Sequence, residues 1–340
     1  MQKFFLRLFI IRPFHSLAQT TTIFRESFLK RESILRFDKD KCFFYITSTT
    51  YLNTYPYRNS FKPSDYVILT IIMKYSIILS TRRSFDDIKP LLLVSNKTAE
   101  LIIIDSLYNE ETKQQLKNTP HEFCQITYAS SMREKIYKRD FLMGLNTGLI
   151  YAEGSWIIKI DDCTEFKPDF FDVINDAVLK LAGYYGHMRF VIRPVKLEGW
   201  LGDKKWDKYR FLESVKERFI RLDREGLGHS AFTTLDQLIC SRETFDFING
   251  YDERYDMGHG YDDNDIMQRL ITAKYEVVMD QSLMTYQYEH KVINDYVDYN
   301  KILYQYTLAE VINGKILAYN PYDIKSMREK MLEKKKEYII

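Results

Sequence analysis

The chain is 340 residues long, 45% hydrophobic and 28% charged, with 49 basic against 47 acidic side chains and a formal charge of +2. It has apolar material for a large folded domain, and neither the composition of a disordered chain nor the basic excess of a dedicated nucleic-acid binder. The 4 cysteines, Cys42, Cys124, Cys163 and Cys240, show no CxxC spacing, which excludes a zinc knuckle or disulfide scaffold and fits a reducing compartment, and no run approaches the roughly 20 apolar residues of a membrane span.

The first residues, MQKFFLRLFIIRPFHSLAQTTTIF, are apolar, carry Lys3, Arg7 and Arg12, and meet no acid before Glu26. Three readings stay open there: a packed extension, peripheral contact with a membrane surface, and a cleaved targeting segment. The location expected is cytoplasmic, with membrane association if the second reading holds. Residues 1–73 show no clear alternation of strand and helix and read as an extension or linker. Order begins at Lys74 with a strand KYSIILS, a polar turn TRRS, a helix from Phe85, a strand ELIII and an acidic loop DSLYNEET, which is the start of a βαβ unit. The spacing of Ile136, Leu142, Leu145 and Leu149 predicts a helix over 132–152, and SWIIKI follows as a buried strand that stops at Asp161 and Asp162. Trp206, Tyr209, Leu212, Val215, Phe219 and Leu222 predict an amphipathic helix. Beyond it come a strand DQLICS, a glycine-containing acidic loop running into an apolar helix in NGYDERYDMGHGYDDNDIMQRL, and a strand-like VVMDQSLMTYQY. From Asp295 the pattern is helical and ends in EKKKEY, read as a solvated face. The expected organisation is 1–73 extension, 74–292 α/β domain, 293–340 helical tail.

In an open α/β sheet the ligand crevice lies beyond the carboxyl ends of the strands, so Thr81 to Arg83, Asp105 and Asp161 to Cys163 are expected to converge. Carboxylates at a strand end suit Mg²⁺ or Mn²⁺, although an Asp-Asp pair alone is as often a turn or helix cap. Gly258, Gly260, Asp262, Asp263 and Asp265 combine backbone freedom with closely spaced carboxylates, an arrangement that can supply a general base.

The order SIILSTRR, LIIIDS, LNTGLIYAEGSWIIKIDDC and NGYDERYDMGHGYDDNDIMQRL resembles glycosyltransferases of family 2 type with the GT-A fold. It is most similar to their galactosyltransferase-like branch, whose late motif Gly-x-Gly-x-(Glu/Asp)-Asp-x-Asp before a helix ending Arg-Leu is matched by Gly258, Gly260, Asp262, Asp263, Asp265, Arg269 and Leu270. The resemblance spans about 74–290 and implies a mainly parallel Rossmann-like sheet flanked by helices. It implies a nucleotide-sugar donor, UDP-galactose, UDP-GalNAc or UDP-glucose in type, and a glycan, lipid-linked or protein acceptor. It also implies a metal-dependent, inverting transfer with Mn²⁺ or Mg²⁺. Carried over residue by residue, Thr81 and Arg83 line the nucleotide pocket, Asp105 meets uracil or ribose, and Asp161 contacts the donor. Asp161 and Asp162, with the late His290, hold the metal. Asp263 is the base, Asp262 binds donor or acceptor hydroxyls, and Asn146 and Gly148 belong to the helix before the metal loop. Two positions depart from the pattern: Cys163 stands where many members have a metal-binding aspartate, and Ser106 replaces a second aspartate after the second strand. Trp200 and Trp206 are candidates for an acceptor platform, with buried packing the alternative for Trp206.

The departures keep open an inactive nucleotide-sugar-binding or structural protein on the same fold. A sugar nucleotidyltransferase needs a glycine-rich phosphate loop after the first strand, and STRRSFDD offers no glycine. A dinucleotide dehydrogenase lacks its GxGxxG.

Overall fold

Tyr75–Thr81 is buried at every position because it runs between two parallel neighbours, and this strand organises the fold. The computed structural model describes residues 33–38, 43–48, 74–132, 139–198, 216–222, 235, 237–288 and 297–340. Contacts divide the chain into Met1–Ile72 and Met73–Ile340. In the first unit, β1 (Ser33–Asp38) and β2 (Phe43–Ser48) pair antiparallel from Ser33↔Ser48 to Asp38↔Phe43, a hairpin where the sequence suggested no strands. The apolar start of the chain, with its membrane-contact and targeting readings, lies outside the described residues. So do Trp200, Trp206 and His290.

The second unit holds a mixed sheet in the order β5-β4-β3-β6-β10-β8-β11-β7, with β9 paired to β11. Its strands are β3 (Tyr75–Thr81), β4 (Ala99–Asp105), β5 (Gln125–Ala129), β6 (Trp156–Lys159), β7 (Thr164–Phe166), β8 (Phe190–Glu198), β9 (Phe219–Arg221), β10 (Leu238–Ser241) and β11 (Glu276–Gln287). β5, β4, β3 and β6 are parallel, β10 runs against β6 and β8, and β11 is parallel to β8. The strands of the parallel half are almost wholly buried because both faces are covered, and the polar side chains they carry, among them Glu100, Asp105 and Lys159, are buried with them.

Between these strands lie the helical turn α1 (Phe85–Ile88) and α2 (Glu110–Asn118). The expected acidic loop ends early: Asn109 accepts the Thr112 amide at 2.8 Å and starts α2 as its N-cap. α3 (Phe141–Tyr151) begins where the carboxylate of Asp256 accepts the Leu142 and Met143 amides at 2.9 and 3.0 Å, rather than at the expected 132; residues 133–138 are outside the described set. α3 lies close on β3, since a Cβ on Gly144 or Gly148 would sit 2.2 Å from Ser80 Oγ or 2.4 Å from Ile78 Cγ2. α4 (Phe170–Tyr185) covers the opposite face, with Tyr75 packed against Phe171 and bonded to Asn175. The expected amphipathic helix fails at its end: Ile220 and Leu222 are buried while Phe219 and Arg221 are half-exposed, the period-two pattern of a strand, and β9 pairs antiparallel with β11.

α5 (Arg242–Ile248), α6 (Asp262–Thr272), α7 (Val297–Ile312) and α8 (Ile324–Lys335) complete the unit. The terminal basic run is not wholly solvated. Lys335 is 1% exposed and bonds Glu100 at 2.6 Å and Glu153 at 2.8 Å, while Arg328 reaches the Leu149 carbonyl and Asp246. The Ile340 amide donates to the Ile126 carbonyl of β5. Among the described residues no helix is long and apolar enough to cross a membrane.

Candidate active site

β3, β4 and β6 run in register, so Thr81 and Asp105 end neighbouring strands and the chain after β6 emerges beside them. Thr81 Oγ1 accepts the Arg83 amide at 3.0 Å and donates to Asp162 at 3.3 Å, and Arg83 Nε meets the same carboxylate at 2.8 Å. Thr81, Arg83 and Asp162 therefore form one cluster. Asp105, at the neighbouring strand end, makes contacts of its own. Its oxygens accept from the Tyr128 hydroxyl at 2.6 Å and the Leu107 amide at 2.8 Å, and burial raises its carboxyl above the ordinary range. It thereby shapes the turn after β4, with Tyr108 stacked on Tyr128.

Asp161 faces cations. Lys159 Nζ lies 3.1 Å from one oxygen and Lys196 Nζ 3.6 Å from the other, and Lys159 also lies 3.8 Å from Asp263. Lys159 is nearly buried in β6, with the Phe141 ring 5.7 Å away. It brings the early and late acidic motifs into one site. Neither lysine was singled out from sequence; the available signal was a lysine inside the otherwise apolar run WIIKI.

Cys163 takes a left-handed backbone, φ 57°, and is buried. Its amide donates to the Asp87 carbonyl and its thiol lies 3.7 Å from the Asp87 carboxylate. Burial foremost, then the negative charge of Asp162, pushes the thiol pKa up to about 12, so it remains protonated.

The late motif is shaped by its backbone and its buried acids. Gly260 and Tyr261 both have positive φ, 77° and 68°, which turns the chain into α6 so that Asp262 and Asp263 occupy its first turn, where exposed amides favour negative charge. Asp265, at the end of the same turn, is buried against Arg269 Nε at 2.6 Å; Arg269 also meets Asp252 and the carbonyls of Ile316 and Leu317. Asp252 accepts from Arg254 and holds the turn. Asp256 caps α3 from this loop, and burial raises its carboxyl to about 7, helped by neighbouring Glu253 and Asp262. Arg139 donates to the Gly258 carbonyl, and Asn300 of α7 donates to the Gly260 carbonyl at 2.8 Å. Asn146 exchanges hydrogen bonds with both backbone groups of Tyr251, which ties α3 to the same loop.

These contacts do not build a cage for a resident divalent ion. Among the described residues no group of three or more His, Cys, Asp or Glu side chains is placed to hold a metal. Asp161 is already balanced by two ammonium groups, Asp162 by a guanidinium, and the neutral Cys163 thiol is a poor partner for Mg²⁺ or Mn²⁺. The expected set of Asp161, Asp162 and His290 thus presents two neutralised carboxylates and a histidine outside the described residues.

Residues 237–291 match the family described as the N-terminal domain of galactosyltransferase, a span that contains β10 and the whole late motif. No curated protein matches the chain. Among solved structures it is similar to S. aureus TarS 1–349, crystallised in complex with UDP, at 14% identity and a TM-score of 0.53, over 78% of this chain and 71% of that one. The likeness shows the fold, a mixed, mainly parallel sheet flanked by helices.

Proposed function

We propose that this GT-A chain is a glycosyltransferase that moves a sugar from a nucleotide-sugar donor of the UDP type to a hydroxyl of a glycan, lipid-linked or protein acceptor, with inversion. The observation that carries the reading is Lys159, which holds Asp263 of the late motif and Asp161 of the early one at a single point. The matched galactosyltransferase segment and the UDP complex of the TarS structure support the donor class.

Thr81 and Arg83 bind the nucleotide end, Asp161 and Asp262 hold sugar hydroxyls, and Asp263 is the base. The acceptor oxygen forms a bond to the anomeric carbon on the face opposite the diphosphate. Its proton passes to Asp263, and the bond from the anomeric carbon to the β-phosphate oxygen breaks with its electron pair leaving on that oxygen. A base at hydrogen-bond reach contributes about 10²–10⁴-fold.

Release of UDP from UDP-galactose, UDP-GalNAc and UDP-glucose, with and without acceptors, tests the reading. Asp263→Asn is expected to keep donor binding and lower turnover by at least about 10²-fold, while Asp262→Asn raises KM. Near-normal kcat in Asp263→Asn with none in Asp262→Asn would exchange the roles. Donor binding without hydrolysis or transfer would make the chain a binding protein.

A further inference from the structure

We propose that the donor diphosphate is held, and its departing charge neutralised, by the protein cations Lys159, Lys196 and Arg83 in place of a divalent metal ion. This rests on the donor reading above. Lys159 comes from β6 and Lys196 from β8, strands separated by β10, yet both ammonium groups reach the carboxylate of Asp161 at 3.1 and 3.6 Å. Their side chains are 3% and 14% exposed, so the charges are poorly screened and act more strongly than surface lysines would. Arg83, at 26% exposure, carries a planar fork suited to phosphate and holds Asp162 at 2.8 Å.

Charge counting at this cluster points the same way. Among the described residues, Lys159, Lys196 and Arg83 pair with the carboxylates of Asp161, Asp162 and Asp263. A carboxylate at position 163 would add a fourth negative charge and a third ligand for a divalent ion. The buried Cys163 adds neither, being turned onto Asp87. In the ligand-free protein Asp161 and Asp162 serve as counterions to the cations; a diphosphate, carrying more charge and more oxygens, shares that role when the donor binds.

Calorimetric titration of UDP, GDP and dTDP into the full chain, with EDTA and then with Mn²⁺, is the test. UDP is expected to bind with EDTA, with Kd changing less than about threefold on adding Mn²⁺. Lys196→Met should weaken UDP at least about tenfold, a loss of about 1.4 kcal/mol, and flatten the salt dependence of binding. Lys196→Arg should recover most of the affinity. Circular dichroism melts of both variants confirm that they fold. UDP binding that appears only with Mn²⁺, or a folded Lys196→Met that binds UDP normally, overturns the inference while leaving the glycosyltransferase reading intact. If no nucleoside diphosphate binds under either condition, the donor reading falls and this inference with it.

Discussion

Asp265 is the acid of the late motif whose substitution best separates architecture from chemistry. Asp265→Asn keeps the shape and one acceptor oxygen but removes the charge that meets Arg269 Nε at 2.6 Å. Arg269 is 2% exposed and would be left with Asp252 at 3.1 Å, a carboxylate already engaged by Arg254 at 2.7 Å, plus the carbonyls of Ile316 and Leu317. Two guanidiniums would then share one carboxylate. Breaking a buried pair costs about 3–5 kcal/mol, and the surviving hydrogen bonds argue for about 3. In a unit of this size each kcal/mol moves Tm by about 2–4 °C, so a drop of about 6–12 °C is expected. Circular dichroism melts read the shift. Urea titrations should show a lower midpoint with unchanged m, and UDP-release assays on the folded variant should stay within about threefold of the parent kcat. If Tm moves by less than about 2 °C while kcat collapses, Asp265 belongs to the chemistry and the division of labour within the motif is wrong.

Gly148→Ala forces a Cβ to 2.4 Å from Ile78 Cγ2 and should destabilise by about 1–3 kcal/mol, read by urea titration; an unchanged midpoint would mean α3 can slide on β3. Asp256 has a carboxyl raised by burial to about 7, so the folded state keeps a proton that the unfolded chain has released, and its contribution to stability is full below about pH 4 and lost as pH climbs toward 7. Asp256→Asn cannot titrate, so urea titrations should show its stability relative to the parent improving over that window; parallel pH profiles would refute the raised carboxyl. Cys163→Asp places a second carboxylate beside Asp87, where the thiol now sits at 3.7 Å, and should lower Tm by several degrees, about 1–3 kcal/mol of desolvation and repulsion. A more stable Cys163→Asp that gains Mn²⁺-dependent UDP binding would mean the loop readily turns toward the diphosphate.

The strand ends were legible because Thr81, Asp105 and Asp161 each follow an apolar run too short for anything but a buried strand. The late motif was legible because its glycines and acids are close in sequence. The segment Phe219–Arg221 misled because apolar spacings of three and four upstream continued by chance into residues whose burial alternates. Asp105 drew attention as a strand-end acid, yet Tyr128, 23 residues away, claims it. Lys159 and Lys196 escaped because their importance lies in converging on Asp161 from separate strands. Asp265 and Asp263 look alike in sequence, and only burial and the position of Arg269 tell them apart.

The stitching of the C-terminal helix to the first parallel strands has a consequence for how the protein is made. Glu100 lies in β4, buried, and its partner Lys335 is 235 residues later; Arg328 reaches the Leu149 carbonyl across 179 residues. While the chain leaves the ribosome, β3, β4 and α3 are complete long before those cations emerge, so an early native arrangement would leave the buried Glu100 with the Ser76 hydroxyl and the Glu153 and Gly154 amides but without its cation. Such long-range closure slows folding and leaves a strand edge at β5 open until Ile340 arrives. Nascent chains stalled before Arg328 should therefore stay protease-sensitive over Tyr75–Thr81 and Ala99–Asp105, and emergence of Arg328 and Lys335 should be the step that locks them.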